Sequence, residues 1–304
     1  VHRYTDGGYD ATEFHNENGF SMVLTPEHKC LVQNYSSRDK KWQRQRLVRA
    51  DQIKTGHFFV RVPFGDATGR QATYSDDEVR LFAWVASEGS LFAHRNSVGK
   101  RGVRLCQSAA HNPAYAAEID ALLCRLGGHH TRHLARGGEM VEWVLRKALW
   151  SKVNEALPGK LVTHGLVSKL TSSQMSLFLE TFAKGDGHFP KQGGVTVTQK
   201  DIGNLGALQA MAVLSGQSST LYERMGRHDF GVLYVNKDGK RAYAKEMSRT
   251  QLRLGMVWCP QTEHGTWIAR RNGRTFLTGN SKPKWARGAV GATLFTFKIY
   301  SISF

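Results

Sequence analysis

The sequence predicts a β-rich domain that is interrupted by an inserted α+β domain and then resumed. Three observations carry that expectation. Short strand patterns fill the first seventy residues, a helix–strand–helix pattern then occurs twice, and strand patterns return from about Met247. A chain of 304 residues with 40% hydrophobic content and seven prolines has the length for two domains and the composition of a folded protein. No apolar run is long enough to span a membrane and no basic-then-apolar leader opens the chain, so a soluble, intracellular protein is expected. The four cysteines, Cys30, Cys106, Cys124 and Cys259, are scattered and read as free thiols.

In chain order, Phe20–Leu24 and Lys29–Gln33 read as strands around Thr25-Pro26-Glu27-His28, and His57–Pro63 as another. The loop-like Gly65–Gly69 ends this part. Ser75-Asp76-Asp77-Glu78 is a capping-box start to a helix through Leu81–Ser87, which ends at Glu88-Gly89. The strand Gly102–Gln107 and the helix Ala114–Leu126 follow. The second copy has helix Ser173–Lys184 ending at Gly185-Asp186-Gly187, strand Gly194–Gln199 and helix Ile202–Leu214. Two copies make a duplication and not a solenoid. Met256–Cys259 is again a strand. Gly265–Gly279 reads as two strands joined by a tight Asn272-Gly273 turn, a strong hairpin signal.

The net charge of +17 and a pI near 9.9 imply an anionic partner, nucleic acid above all. Two segments concentrate this charge. Arg38–Arg49 sets six cations against one acid, with Trp42 among them. Gly89–Ala117 holds Arg95, Lys100, Arg101 and Arg104 and no carboxylate. Cys124, His129, His130 and His133 straddle a Gly-Gly break and lack a second ligand pair, so their spacing does not read as a zinc site.

The C-terminal hairpin delivers Asn280 directly against Ser281. An Asn carboxamide can attack its own backbone carbonyl, close a succinimide and break the chain after itself, and a following Ser can accept an acyl group. The run Gly265-Thr266-Trp267 … Arg270-Arg271-Asn272-Gly273 … Thr278-Gly279-Asn280-Ser281 resembles the C-terminal splicing end of inteins of the phage and prophage type. Thr25-Pro26-Glu27-His28 resembles the T-x-x-H element of the same Hint-type splicing fold, which polarises the N-terminal splice junction. The resemblance implies that Thr25, His28, Cys259, Thr278, Asn280 and Ser281 line a splicing centre. Two roles stay open for Cys259, as first nucleophile or as an assistant in proton transfer. The pattern departs at Gly279, where inteins usually carry His, and at Cys30, where those with an internal Cys nucleophile carry Trp. Val1 is no nucleophile and no Cys-led strand precedes Thr25, so an N-terminal fragment is expected to be missing.

Leu81–Gly89 and Leu179–Gly187 both resemble the LAGLIDADG helix of homing endonucleases. That resemblance implies two helices packed through small residues, each delivering an acid, Glu88 and Asp186, to a divalent metal. Hard carboxylates suit Mg²⁺. Gln107, Gln199 and Lys200 are candidates for the polar and basic residues near the metals. Arg95, Lys100, Arg101, Arg104, Gln107, Thr196, Thr198 and Gln199 are candidates for contact with DNA. The second copy places Glu180 and Lys184 on the motif, which departs from an ideal helix interface.

The expected organisation is therefore an all-β splicing (Hint, horseshoe) domain, 1–70 and 241–280, interrupted by an α+β LAGLIDADG domain, 71–240. The latter has α-β-β-α halves at about 75–160 and 161–240, and 281–304 would begin the C-extein. The expected function is autocatalytic splicing with cleavage after Asn280, plus Mg²⁺-dependent double-strand cleavage at the insertion site by a monomeric endonuclease. The expected setting is the cytoplasm of a bacterial or phage-infected cell, with no membrane partner. The rival is a non-catalytic or free-standing LAGLIDADG DNA-binding protein without splicing activity.

Overall fold

The computed structural model describes residues 2–4, 8–63, 71–93, 101–191, 193–223, 230–236, 238–259 and 265–279. The chain forms two units, one of Val1–Phe64, Gly216–Tyr222 and Lys237–Phe304, the other of Gly65–Ser215 and Glu223–Asn236. The first unit takes in Gly216–Tyr222 from within the span 71–240 expected for the inserted domain, and its other bounds lie a few residues from the expected ones. Ser218–Tyr222 falls in the first unit, because Thr220 pairs with Arg274 and the Leu221 amide donates to the Gly273 carbonyl at 2.9 Å. No helix among the described residues is long and apolar enough to cross a membrane.

The regular structure described in the first unit is strands and short 3-10 turns. Tyr9–His15 pairs antiparallel with Ser21–Leu24 and with Ser248–Leu254. Lys29–Gln33 pairs with Arg46–Arg49, with Phe58–Val60 and, through Cys30, with Thr278 of the strand Arg274–Gly279. Alternation sends Cys30 and Val32 inward, where they join Phe14, Phe20, Phe59 and Phe276 in one core. Phe14 meets Phe59 edge-on at 5.6 Å and Phe20 meets Phe276 likewise at 5.8 Å. The hairpin Thr266–Arg271/Arg274–Gly279 turns at Asn272 and Gly273, with φ of 50° and 68°, as a two-residue turn matching strand twist requires. A Cβ at Gly273 would lie 1.7 Å from the Leu221 carbonyl oxygen, so only glycine fits.

The second unit is mixed α/β with antiparallel sheets. Its helices are α1 (Asp76–Glu88), α2 (Pro113–Arg125), α3 (Lys147–Ala156), α4 (His164–Val167), α5 (Ser172–Asp186) and α6 (Ile202–Leu214). After α1 the strands Gly89–Ala93 and Arg101–Ser108 form a hairpin, and after α2 the strands His130–Ala135 and Met140–Leu145 extend it to four strands. After α5 the strands Gly187–His188 and Val195–Gln199 repeat the first hairpin, and Gly231–Asn236 pairs with the latter. The His130–Ala135/Met140–Leu145 hairpin and α3 add to the α-β-β-α pattern expected for the first half.

Helices α1 and α5 lie side by side and point the same way. Both begin in capping boxes, Ser75 with Glu78 and Thr171 with Gln174. The Gln174 amide also donates to the Tyr74 carbonyl at 2.7 Å and to Asp76 at 3.1 Å, which ties the two starts together. At the other end a Cβ on Gly185 would sit 2.5 Å from Ser87 Oγ and 2.9 Å from Glu88 Cγ. The Ser87 hydroxyl turns back onto the Ala83 carbonyl, which leaves a small flank for that approach. Glu180 is exposed and Lys184 pairs with Glu118 of α2 at 2.6 Å. The charged departures in the second motif thus fall off the helix interface.

Candidate metal centre at two helix ends

Glu88 is the last residue of α1 and Asp186 the last of α5. Carbonyl oxygens at a helix end carry negative potential, so two converging C-termini that each add a carboxylate favour a cation. Both acids are half-buried. Burial first, then the charge of Asp186, raises the pKa of Glu88. Burial likewise raises that of Asp186.

A glutamine faces each acid, and one of them bonds to it. Val195 and Val197 face inward on their strand, and Gln199, in phase with them, donates from Nε2 to Asp186 Oδ2 at 2.7 Å. In the other half Val103 and Leu105 point inward, and so does Gln107, which is 4% exposed. Its Oε1 accepts from the Ser108 amide at 2.8 Å and from Asn112 at 3.3 Å, so its amide nitrogen is turned the other way. That nitrogen makes no hydrogen bond of ordinary geometry, and its field favours the charged form of Glu88. Gln107 and Gln199 therefore serve the acids and do not face outward with Arg104, Thr196 and Thr198.

Lys160 is a member of the centre that the sequence did not disclose. It lies in the turn Pro158–Lys160, and its ammonium donates to the Ser87 carbonyl at 3.1 Å. The charges of Asp186 and Glu88 act to keep it protonated, while burial, the larger effect, lowers its pKa. Its φ of 68° is left-handed, unusual for a residue with a side chain. Lys200, the expected basic residue, is exposed on a bend after its strand.

The set fits a divalent cation of the Mg²⁺ class. Such ions need only one or two carboxylates from the protein, completing their shell with water and substrate phosphate. Two hard oxygen ligands are present, both pushed toward their neutral form, and one lysine balances them incompletely. No group of three or more His, Cys, Asp or Glu suited to a metal occurs among the described residues.

On the outer face of the four-stranded sheet, Arg104 stands over the Phe92 ring at 5.6 Å and pairs with Glu142 at 3.5 Å. Thr196 and Thr198 occupy the outer face of the second hairpin, Thr196 opposite the exposed Tyr234. Arg95 and Lys100 lie outside the described residues, as does the side chain of Arg101.

No protein-family model matches this chain, and no curated protein matches it in sequence. Solved structures that it resembles are homing endonucleases. Mesophilic variants of the homing endonuclease I-DmoI align over 53% of this chain and 88% of their own at 15% identity, with a TM-score of 0.41. I-DmoI in complex with DNA and Mn aligns over 53% and 89% at 15% identity and 0.41. The homing endonuclease I-WcaI bound to its DNA recognition sequence aligns over 55% and 78% at 9% identity and 0.36. At these scores the likeness carries no chemistry across, and the centre stands on its own residues.

The strand-rich unit holds a second cluster. His28 closes the Thr25–His28 turn, its amide donating to the Thr25 carbonyl at 3.0 Å. Its ring meets the Thr278 hydroxyl. That hydroxyl has one proton, directed at the Lys29 carbonyl at 3.2 Å, so the imidazole Nε2 donates and Thr278 accepts. Trp267 donates its indole N–H to the Gly279 carbonyl at 3.3 Å. A Cβ at Gly279 would come within 2.9 Å of Lys29 Cβ and 3.0 Å of the Lys29 carbonyl oxygen, which explains why no larger residue stands there. Cys30 is buried opposite Thr278, and burial pushes its thiol up to about 12, so it is no nucleophile. Cys259 ends the strand Val257–Cys259, with its side chain outside the described residues, as are Asn280 and Ser281. Thr25 is partly buried at the start of the turn.

Burial lowers the pKa of His28 to about 4. Between the ordinary 6.5 and that value the unfolded chain binds a proton that the folded one refuses. Stability is therefore expected to fall by about 3 kcal/mol as pH drops through this window and to level off below it. Ring-proton NMR should show one imidazole titrating near pH 4. A His28 signal that titrates near 6.5 would contradict the packing described.

Proposed function

We propose that the α/β unit is a divalent-metal-dependent DNA phosphodiester hydrolase of the LAGLIDADG homing type, making a double-strand cut with Mg²⁺. The observation that carries this reading is the delivery of Glu88 and Asp186, as final residues of two parallel helices, to one half-buried point beside Lys160. The charge of +17 supplies attraction to a polyanion. The cation, held by the two acids, would stabilise charge on the phosphate and activate water. Gln199 fixes Asp186 by its 2.7 Å bond, and Gln107 favours ionised Glu88. Lys160 offsets the two carboxylates. Arg104, Thr196 and Thr198 on the sheet faces meet the duplex. Incubation with a pooled library of random duplexes and Mg²⁺, followed by sequencing of cut ends, tests the reading. It should enrich one target with paired breaks on the two strands.

We also infer a second activity, self-cleavage after Asn280, from the His28–Thr278 pair and the Trp267–Gly279 bond just before that residue. The Asn280 side-chain nitrogen would bond to its own backbone carbonyl carbon as the bond to the Ser281 nitrogen breaks. The proton lost by the carboxamide goes to the departing Ser281 amine. The arrangement suits the splicing role that the hairpin's resemblance to inteins implies for Thr25, His28, Cys259, Thr278, Asn280 and Ser281. Mass spectrometry of the incubated chain should show the fragment ending at residue 280, and Asn280→Ala should abolish it. Equal release from both chains would dismiss this activity.

A further inference from the structure

A cavity of about 390 Å³ is formed wholly by residues of the strand-rich unit. Trp42, the aromatic in the basic segment Arg38–Arg49, belongs to its wall. The Trp42 ring meets Phe58 edge-on at 4.9 Å, and Phe58 stacks on Tyr243 at 4.2 Å and 4°. The guanidinium of Arg241 lies 3.7 Å over Trp42 and donates from Nε to the side-chain Oε1 of Gln33 at 2.7 Å. Arg61, Arg274 and Lys240 also line the cavity, against one acid, Glu246.

Arg61 and Arg274 share an unusual condition. Arg61 donates to the carbonyls of Gly239 at 3.2 Å and Ser219 at 3.3 Å. Arg274 donates to the Thr220 hydroxyl, the Asn18 carbonyl and, at 3.0 Å, the Tyr222 hydroxyl. Among the described residues neither has a carboxylate within ion-pair distance. Burial, and then the charge of Arg274, hold the Arg61 guanidinium down at about 10. Two cations placed together on neutral partners leave their charge uncompensated, a deficit that an anion would relieve.

We propose that this cavity binds a nucleoside monophosphate, with the phosphate held by Arg61, Arg241 and Arg274 and the base against the Trp42–Phe58–Tyr243 wall. Guanidinium groups suit phosphate oxygens, and every base offers a flat face to an aromatic wall. The space exceeds what inorganic phosphate alone would fill, and the aromatic side has no role toward a bare anion. The nucleotide can be free or can be the 5′ end of a DNA strand.

Calorimetric titration of the whole chain with deoxyadenosine monophosphate tests this without Mg²⁺, and Glu88→Gln serves as a control that leaves it unchanged. Binding should be saturable, about tenfold weaker in Arg241→Gln and tighter in Glu246→Gln. The opposite signs of these two variants separate a site effect from misfolding, which circular dichroism checks. Displacement of the nucleotide by a 5′-phosphorylated hexanucleotide assigns the source to a strand end, and no displacement assigns it to the free nucleotide. Binding of deoxyadenosine as tight as that of its monophosphate, binding of inorganic phosphate as tight as either, or no change in the two variants would each overturn the proposal.

Discussion

Glu88→Gln and Asp186→Asn are each expected to lower cleavage of the enriched duplex by about 10³-fold or more, while duplex binding changes by less than about threefold. Each substitution keeps the shape of the side chain and removes a hard, charged oxygen ligand from the helix end. The same variants should melt higher than the parent at neutral pH without divalent metal. Folding raises the pKa of both carboxyls, so the folded chain holds protons that the unfolded chain has released. Stability then falls as pH climbs from the ordinary carboxylate range through the raised values, and an uncharged amide escapes that loss. Single-turnover cleavage with Mg²⁺ and thermal melts at pH 5 and pH 8 in chelator measure both effects. Near-parental cutting by either variant would remove the acids from the reaction.

Lys160→Met should separate two quantities that usually fall together. Removing the ammonium withdraws a positive charge that competes for the two acids, so half-saturation by Mg²⁺ should occur at lower concentration. The maximal rate should nevertheless drop about 10²-fold, because charge balance beside the phosphate and the bond to the Ser87 carbonyl are both lost. Lys160→Arg, which retains charge and donor, should recover most of the rate. Titration of the cleavage rate against Mg²⁺ for the three chains decides the matter. A rate loss accompanied by weaker metal dependence in the Met variant would mark Lys160 as merely structural.

The acids were legible in the sequence because each closes a helix with its own signals. An acid followed by Gly ends each, and the first also opens in a readable capping box, Ser75 with Glu78. The hairpin around Asn272-Gly273 was legible for the same reason, since its turn chemistry is local. Helix α6 has the bounds that its pattern gives, Ile202–Leu214. Lys160 was hidden because Pro158-Gly159-Lys160 reads as a linker, and its partners Ser87, Glu88 and Asp186 are distant in sequence. The hairpin His130–Ala135/Met140–Leu145 was missed because four residues of its first strand, Thr131–Leu134, are exposed. That strand buries no face and shows no period of two. Ser218–Tyr222 escaped assignment because its ties to the first unit, such as Thr220 with Arg274 and Leu221 with Gly273, join residues far apart along the chain. Glu180 and Lys184 looked like flaws in a helix interface. Their positions on the helix surface, with Lys184 paired to Glu118, could be known only from the packing.

The contact of Gly185 with Ser87 and Glu88 has a consequence for how such a protein could diversify. Because the bare backbone of Gly185 rests against the Ser87 and Glu88 side chains with no room for a Cβ between them, the spacing of the two acids is closely held and the molecule behaves as a fixed caliper. If the proposed cleavage holds, substitutions on the outer sheet faces should retune which bases are preferred while the stagger between the two cuts stays constant across all of them.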